Sequence, residues 1–188
     1  MQGLNLGQNK LQKKYSWWLG VVLGIMFVVG LASCTAPPTT ALPHSGTELR
    51  VGMAAPDFEL PRTTGGRLTL AALRGQPLLI NFWATWCAPC RLEMPELVKA
   101  ANAHPELVIL AINEAEEVTQ ITPFAREFHM EMPILLDEVG DVRRAYQVRG
   151  LPASIFIDRT GTITALWLGP LTTEKLNELL QQTLADSS

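Results

Sequence analysis

A chain of 188 residues has room for one folded domain and an appendage. Its 47% hydrophobic content suits a globular core, and a net charge of −3 argues against nucleic acid as a partner. The charge is unevenly placed: Lys10, Lys13 and Lys14 are the only charged residues before Glu48, and the rest of the chain sets 12 basic side chains against 18 acidic ones.

From the N-terminus, the lysine cluster precedes WWLGVVLGIMFVVGLA at 17–32, which is almost wholly apolar. Such a run reads as a short membrane anchor or as the apolar region of a signal peptide. A buried core helix fits less well, because the run has no polar face and follows lysines. Positive-inside logic keeps the lysines cytoplasmic and exports the remainder. TAPPTTALPHSGT at 35–47 is an uncharged Pro/Thr/Ser spacer, in which His44 is a solvated linker residue. The division expected is therefore 1–34 signal or anchor, 35–47 linker and 48–188 folded domain, with regular structure ending near Leu184.

Within that domain, 58–60 and 67–70 predict a small hairpin across Thr64-Gly65-Gly66. LLINFW at 78–83 predicts a buried strand, 87–103 a helix kinked at Pro95, and VILAIN at 108–113 a second buried strand. A helix over 118–128, a strand over 134–137 and a short helix over 141–146 follow. Residues 154–158 and 163–168 predict a hairpin turning at Gly161. A last helix over 174–184 lines up Leu176, Leu179, Leu180 and Leu184, with Thr172 or Thr173 as its cap. This alternation predicts an α/β fold: a central mixed sheet flanked by helices. No glycine-rich phosphate loop is present, so nucleotide chemistry has no support.

The chemistry concentrates at Cys87 and Cys90, two of only three cysteines. A metal site needs more ligands, and His104 and His129 stand alone with no further cysteine in the domain. A structural staple joins distant segments, whereas a two-residue gap closes almost nothing. A redox pair needs adjacent sulfurs, one reachable, with the thiolate stabilised. A buried strand that delivers the pair to a helix start supplies free N–H groups and the macrodipole. Cys87 at that start has its thiol pKa lowered, and Cys90, one turn on, resolves a mixed disulfide. Pro89 fixes the turn. Trp83 ends a buried strand and belongs to the core; Trp86 adjoins Cys87 and forms an apolar rim for substrate. Met130 and Met132 read as core or edge residues rather than a metal box.

INFWATWCAPC resembles the active site of thioredoxin-like proteins, and the longer pattern resembles the TlpA/ResA branch of membrane-tethered thiol–disulfide oxidoreductases. VGMAAPDFEL, RGQPLLINFWATWCAPCRLEMPEL and the stretch from AINEAEE to IDRTGTI resemble that branch's domain start, active-site helix and central insert with cis-proline loop and hairpin. The resemblance covers 48–184. It implies a thioredoxin-like fold with an N-terminal β-hairpin and a central helix insertion. It implies that Pro152 is cis and faces the cysteines, which leaves Leu151 free to pair with an extended substrate segment. Thioredoxins proper carry a buried aspartate where this chain has Asn81. Glu93, on the same helix face as Cys90, is the acid expected to take its proton, as the ResA branch carries glutamate there; a solvated helix carboxylate is the other reading. Glu116 is a second candidate, with 114–117 otherwise a solvated acidic turn. Leu31-Ala32-Ser33-Cys34 resembles a bacterial lipoprotein signal, implying a lipid on Cys34; an incidental cysteine at the end of a membrane helix is the alternative.

The reading is a tethered thiol–disulfide oxidoreductase on the extracytoplasmic side of the membrane, with no metal and no cofactor beyond the Cys87–Cys90 pair. Its expected partners are exported proteins with thiols or disulfides, such as apocytochrome c, and a membrane electron donor. Two rivals keep the fold: a disulfide-forming oxidant and a tethered copper chaperone, the latter disfavoured by the two-residue cysteine spacing. A peroxidase is disfavoured because Ala84 stands where a threonine three before the cysteine is required.

Overall fold

The computed structural model describes residues 48–185. The apolar run at 17–32, Cys34 and the linker at 35–47 lie outside the described residues. Among those described, no helix is long and apolar enough to cross a membrane.

Among the described residues seven strands, four α-helices and one 3-10 turn (Leu70–Leu73, after β2) are present: β1 (Glu59–Pro61), β2 (Arg67–Thr69), β3 (Leu78–Trp83), α1 (Ala88–Ala103), β4 (Val108–Glu114), α2 (Val118–Glu127), β5 (Ile134–Asp137), α3 (Asp141–Ala145), β6 (Ala153–Ile157), β7 (Ile163–Leu168) and α4 (Thr173–Ala185). β1 and β2 form the antiparallel hairpin, and five strands form a sheet in the order β5-β4-β3-β6-β7. β3, β4 and β5 run parallel; β6 and β7 are antiparallel to their neighbours. The sheet is mixed, as the alternation predicts. The stretch expected as a central helical insert supplies α2 and α3 with the edge strand β5 between them.

β3 is buried along its whole length because both faces of the sheet are covered, which is why it reads as an unbroken apolar run. Successive side chains go to opposite faces. Leu79 and Trp83 join Met94 and Leu97 of α1, Phe124 of α2 and Leu176, Leu179 and Leu180 of α4 in one core. Leu78, Ile80 and Phe82 join Leu60 and Leu68 of the hairpin and Val142 of α3 in the other. Asn81 lies on the Leu79/Trp83 face, under α1.

Half of the element ends coincide with expectation and the other half differ by one residue, as fraying ends do. Cys87 is the N-cap of α1 rather than its first residue, and the helix continues through Pro95. Of the two threonines offered as the cap of α4, Thr172 takes the role: its carbonyl accepts from Leu176 N at 2.9 Å and its hydroxyl from Lys175 N at 3.3 Å. The β6–β7 turn rests on Gly161 at φ 87°, with Asp158 accepting from the N–H groups of Thr160 and Thr162.

Candidate active site

The two cysteines sit where β3 ends and α1 begins. Cys87 and Cys90 are joined by a disulfide, Cα to Cα 5.3 Å. Cys87 Sγ caps the helix by accepting from Cys90 N at 3.2 Å, so the helix's free N–H end points at that sulfur. Cys87 keeps 4% of its surface exposed and Cys90 none. The exposed sulfur expected at this position is instead buried, because the capping position tucks the side chain against the helix.

The Leu151–Pro152 peptide bond is cis, as the resemblance implies, and precedes β6 at the end of the sheet where β3 runs toward the cysteines, since Ala153 pairs with Phe82. Leu151 forms no backbone hydrogen bond among the described residues, while Pro152 C=O accepts from Gly169 N at 2.9 Å. Trp86 is 69% exposed, which fits a rim position, and Trp83 is fully buried. The sequence gives no sign of Leu168, the last residue of β7. It pairs in register with Ala153, is 65% exposed, and approaches so closely that a Cβ on Gly150 would lie 3.7 Å from its Cδ1. It extends the apolar ground next to the Leu151–Pro152 loop.

Glu93 lies one turn beyond Cys90 and is 1% exposed, so the solvated alternative falls. Its Oε1 accepts from Asn81 Nδ2 at 2.8 Å and its Oε2 from Leu171 N at 2.8 Å. Burial pushes its carboxyl up to about 7, and the Leu171 N–H and Asn81 amide act against that rise. A carboxyl poised there can take or give a proton near neutral pH. Asn81 also reaches Ser154 Oγ at 3.1 Å across the β3–β6 pairing.

The acidic turn after β4 differs from expectation. Glu116 is buried rather than solvated, because it carries the loop before the cysteines: its carboxylate accepts from Thr85 N at 2.7 Å, from Asn113 Nδ2 at 2.8 Å and from the Thr85 hydroxyl. Ala115 takes φ 55°, which turns the chain back. Glu114 pairs with Arg143 of α3 at 2.7 Å. Only Glu117 behaves as a surface residue, in a capping box at the start of α2.

Residues 51–166 match the AhpC/TSA family. The chain belongs to this family. Within it, the chain is a ResA-like thiol–disulfide oxidoreductase of the thioredoxin superfamily. It is 33% identical over 167 residues to the thioredoxin-like protein YneN of Bacillus subtilis, covering 87% of this chain and 96% of that one. It is 34% identical over 137 residues to the thiol-disulfide oxidoreductase ResA of Geobacillus kaustophilus, covering 72% and 79%. A crystal structure from Chlorobium tepidum assigned as a thiol:disulfide interchange protein DsbE superimposes with a TM-score of 0.68 at 31% identity, over 74% of this chain and 99% of that one. For this ResA-like member the peroxidatic pattern stays incomplete at Ala84, and among the described residues no group of three or more His, Cys, Asp or Glu is arranged to hold a metal.

Proposed function

We propose that this oxidoreductase reduces disulfides in exported proteins, such as apocytochrome c, through Cys87 and Cys90. The observation that carries the reading is a sulfur pair at a helix N-terminus with a buried carboxyl one turn beyond the second sulfur, and a cis-proline loop at the same end of the sheet supports it.

Cys87 thiolate, favoured by the helix terminus, attacks a substrate disulfide. A bond forms between Cys87 Sγ and one substrate sulfur; the substrate S–S bond breaks and the leaving thiolate takes a proton. Cys90 then gives its proton to Glu93 and attacks Cys87 Sγ. The Cys87–Cys90 bond forms, the second substrate sulfur leaves as thiolate, and the proton held by Glu93 neutralises it. Two electrons have passed to the substrate. A membrane electron donor returns two electrons and two protons to the pair; no further cofactor enters. The substrate segment lies extended along Leu151, with Trp86 and Leu168 as its apolar flanks. Lipid on Cys34, which becomes the N-terminus once residues 1–33 are removed as a signal, holds the protein at the cell membrane with the folded domain outside.

Trapping tests this in one set of cells. Cys90→Ser, which stops after the first attack, should accumulate mixed disulfides that identify the substrate; Cys87→Ser should accumulate none. Alkylation of the wild type should find the pair mainly reduced, whereas a mainly oxidised pair makes it a disulfide-forming oxidant. Labelled palmitate should enter the wild type and be lost in Cys34→Ala. A Cys90→Ser protein that traps nothing ends the reading.

A further inference from the structure

Three fully buried polar side chains meet under α1, and only one of them belongs to the expected chemistry. Asn81 of β3 and Ser154 of β6 are register partners, both with no exposed surface. One end of the Asn81 amide faces Glu93 Oε1 at 2.8 Å and Ser154 Oγ at 3.1 Å together. The other end, Oδ1, is buried with no partner. Glu93 Oε2 is occupied by the fixed Leu171 N–H donor at 2.8 Å. A proton arriving at Glu93 is therefore directed to Oε1, the oxygen that faces Asn81.

That proton creates a conflict. An amide N–H pointed at ionised Oε1 is a good donor, but once Oε1 carries a proton its O–H faces a second donor and has no acceptor, and Oε1 itself accepts more weakly. Turning the amide over exchanges its nitrogen and oxygen in nearly the same volume. The oxygen then accepts from the Glu93 O–H. Ser154 can follow, because a hydroxyl accepts from N–H in the first state and donates to C=O in the second. At the far end Oδ1 has no partner to lose in turning, and the cost of leaving the turned NH2 without an acceptor there is set against the new O–H to C=O bonds.

We propose that Asn81 and Ser154 form an amide–hydroxyl relay that reverses its hydrogen bonds when Glu93 takes a proton from Cys90, so that both protonation states of Glu93 are matched. The relay rests on the reading of Glu93 as proton acceptor. Asn81 and Ser154 are positioning residues: neither receives the proton, and no bond between heavy atoms changes. The charged side chains of the surrounding elements are engaged elsewhere. Glu96 of α1 bonds Lys99 and Thr173; Lys175 of α4 bonds Glu178 and lies over Trp167; Asp158, after β6, bonds Thr160 and Thr162; Glu116, after β4, bonds Thr85 and Asn113.

The test uses the reduced protein, labelled with carbon-13 and nitrogen-15, followed by NMR from about pH 5 to about pH 9. The Glu93 carboxyl carbon should titrate. The Asn81 side-chain amide protons should sit downfield at high pH, where both are bonded, and move upfield at low pH with the same midpoint. Amide protons that stay downfield through the Glu93 midpoint overturn the relay and leave Glu93 as the acceptor. A Glu93 carbon that does not titrate overturns both. In Asn81→Leu the ionised form loses the stronger bond, so the midpoint should rise by roughly half a unit to one unit. A folded Asn81→Leu with an unmoved midpoint also overturns the relay, and the wild-type titration stands whether or not that variant folds.

Discussion

Glu93 shows how much one position can do. Its helix spacing from Cys90 is legible from the sequence, but its protonation is decided by 1% exposure and two donors from distant segments. A base with its titration near about 7 is half ionised at neutral pH. The resolving step in the wild type should therefore accelerate as pH rises through that value. In Glu93→Gln the buried Cys90 thiol has no carboxylate beside it to take its proton and ionises only at higher pH. Single-turnover kinetics should show the profile displaced upward and the rate at neutral pH reduced roughly 100-fold. An unchanged profile removes Glu93 from the proton path.

At the scale of elements, the junction between β3 and α1 is held from outside itself. The loop that carries Trp86 and Cys87 is gripped by Glu116, which belongs to the turn after β4 and reaches across to Thr85. Parallel pairing of β3 with β4 makes this possible, since both strands end on the same edge of the sheet. Glu116→Ala leaves the Thr85 N–H and the buried Asn113 amide without their acceptor. The expected cost is roughly 2 to 4 kcal/mol of stability by urea denaturation, because buried donors are stranded. With the cysteines less firmly placed, kcat/KM for disulfide reduction should fall about tenfold. A variant that unfolds like the wild type and keeps full activity would show that the grip is incidental.

For the molecule as a whole, the same buried carboxyl makes folding depend on pH. Below about 4.5 the folded and unfolded chains both hold the Glu93 proton, and the residue is neutral to stability. Between that value and about 7 the unfolded chain has released the proton and the folded chain keeps it, so stability falls as pH rises. Above that window the loss levels off, on the order of 3 kcal/mol. Glu93→Gln should abolish this slope: its urea midpoint, compared with the wild type, should climb between about pH 5 and about pH 7.5. A difference that stays flat across that range contradicts the burial argument. Loss of function with gain of stability is the pattern expected where a fold buries an acid for chemistry.

The sequence by itself determined what local patterns encode. LLINFW and VILAIN are strands because unbroken short apolar runs are covered on both faces, and CAPC opens a helix because a capping side chain and Pro89 suit a first turn. It also singled out Cys87, Cys90 and Glu93, which lie within two turns at the start of α1, whereas Pro152 was marked by the family resemblance. Tertiary structure decided what depends on segments far apart in the chain. Leu168 comes to the Leu151–Pro152 loop through the β6–β7 pairing. Glu116, a surface acid by local composition, is drawn inward by Thr85, 31 residues away. Asn81 meets Ser154 only through strand register, 73 residues apart, and Glu93 meets Leu171 78 residues on. Periodicity sorts residues by face, but burial and hydrogen-bond partners are set by which faces meet, and that is written in the packing alone.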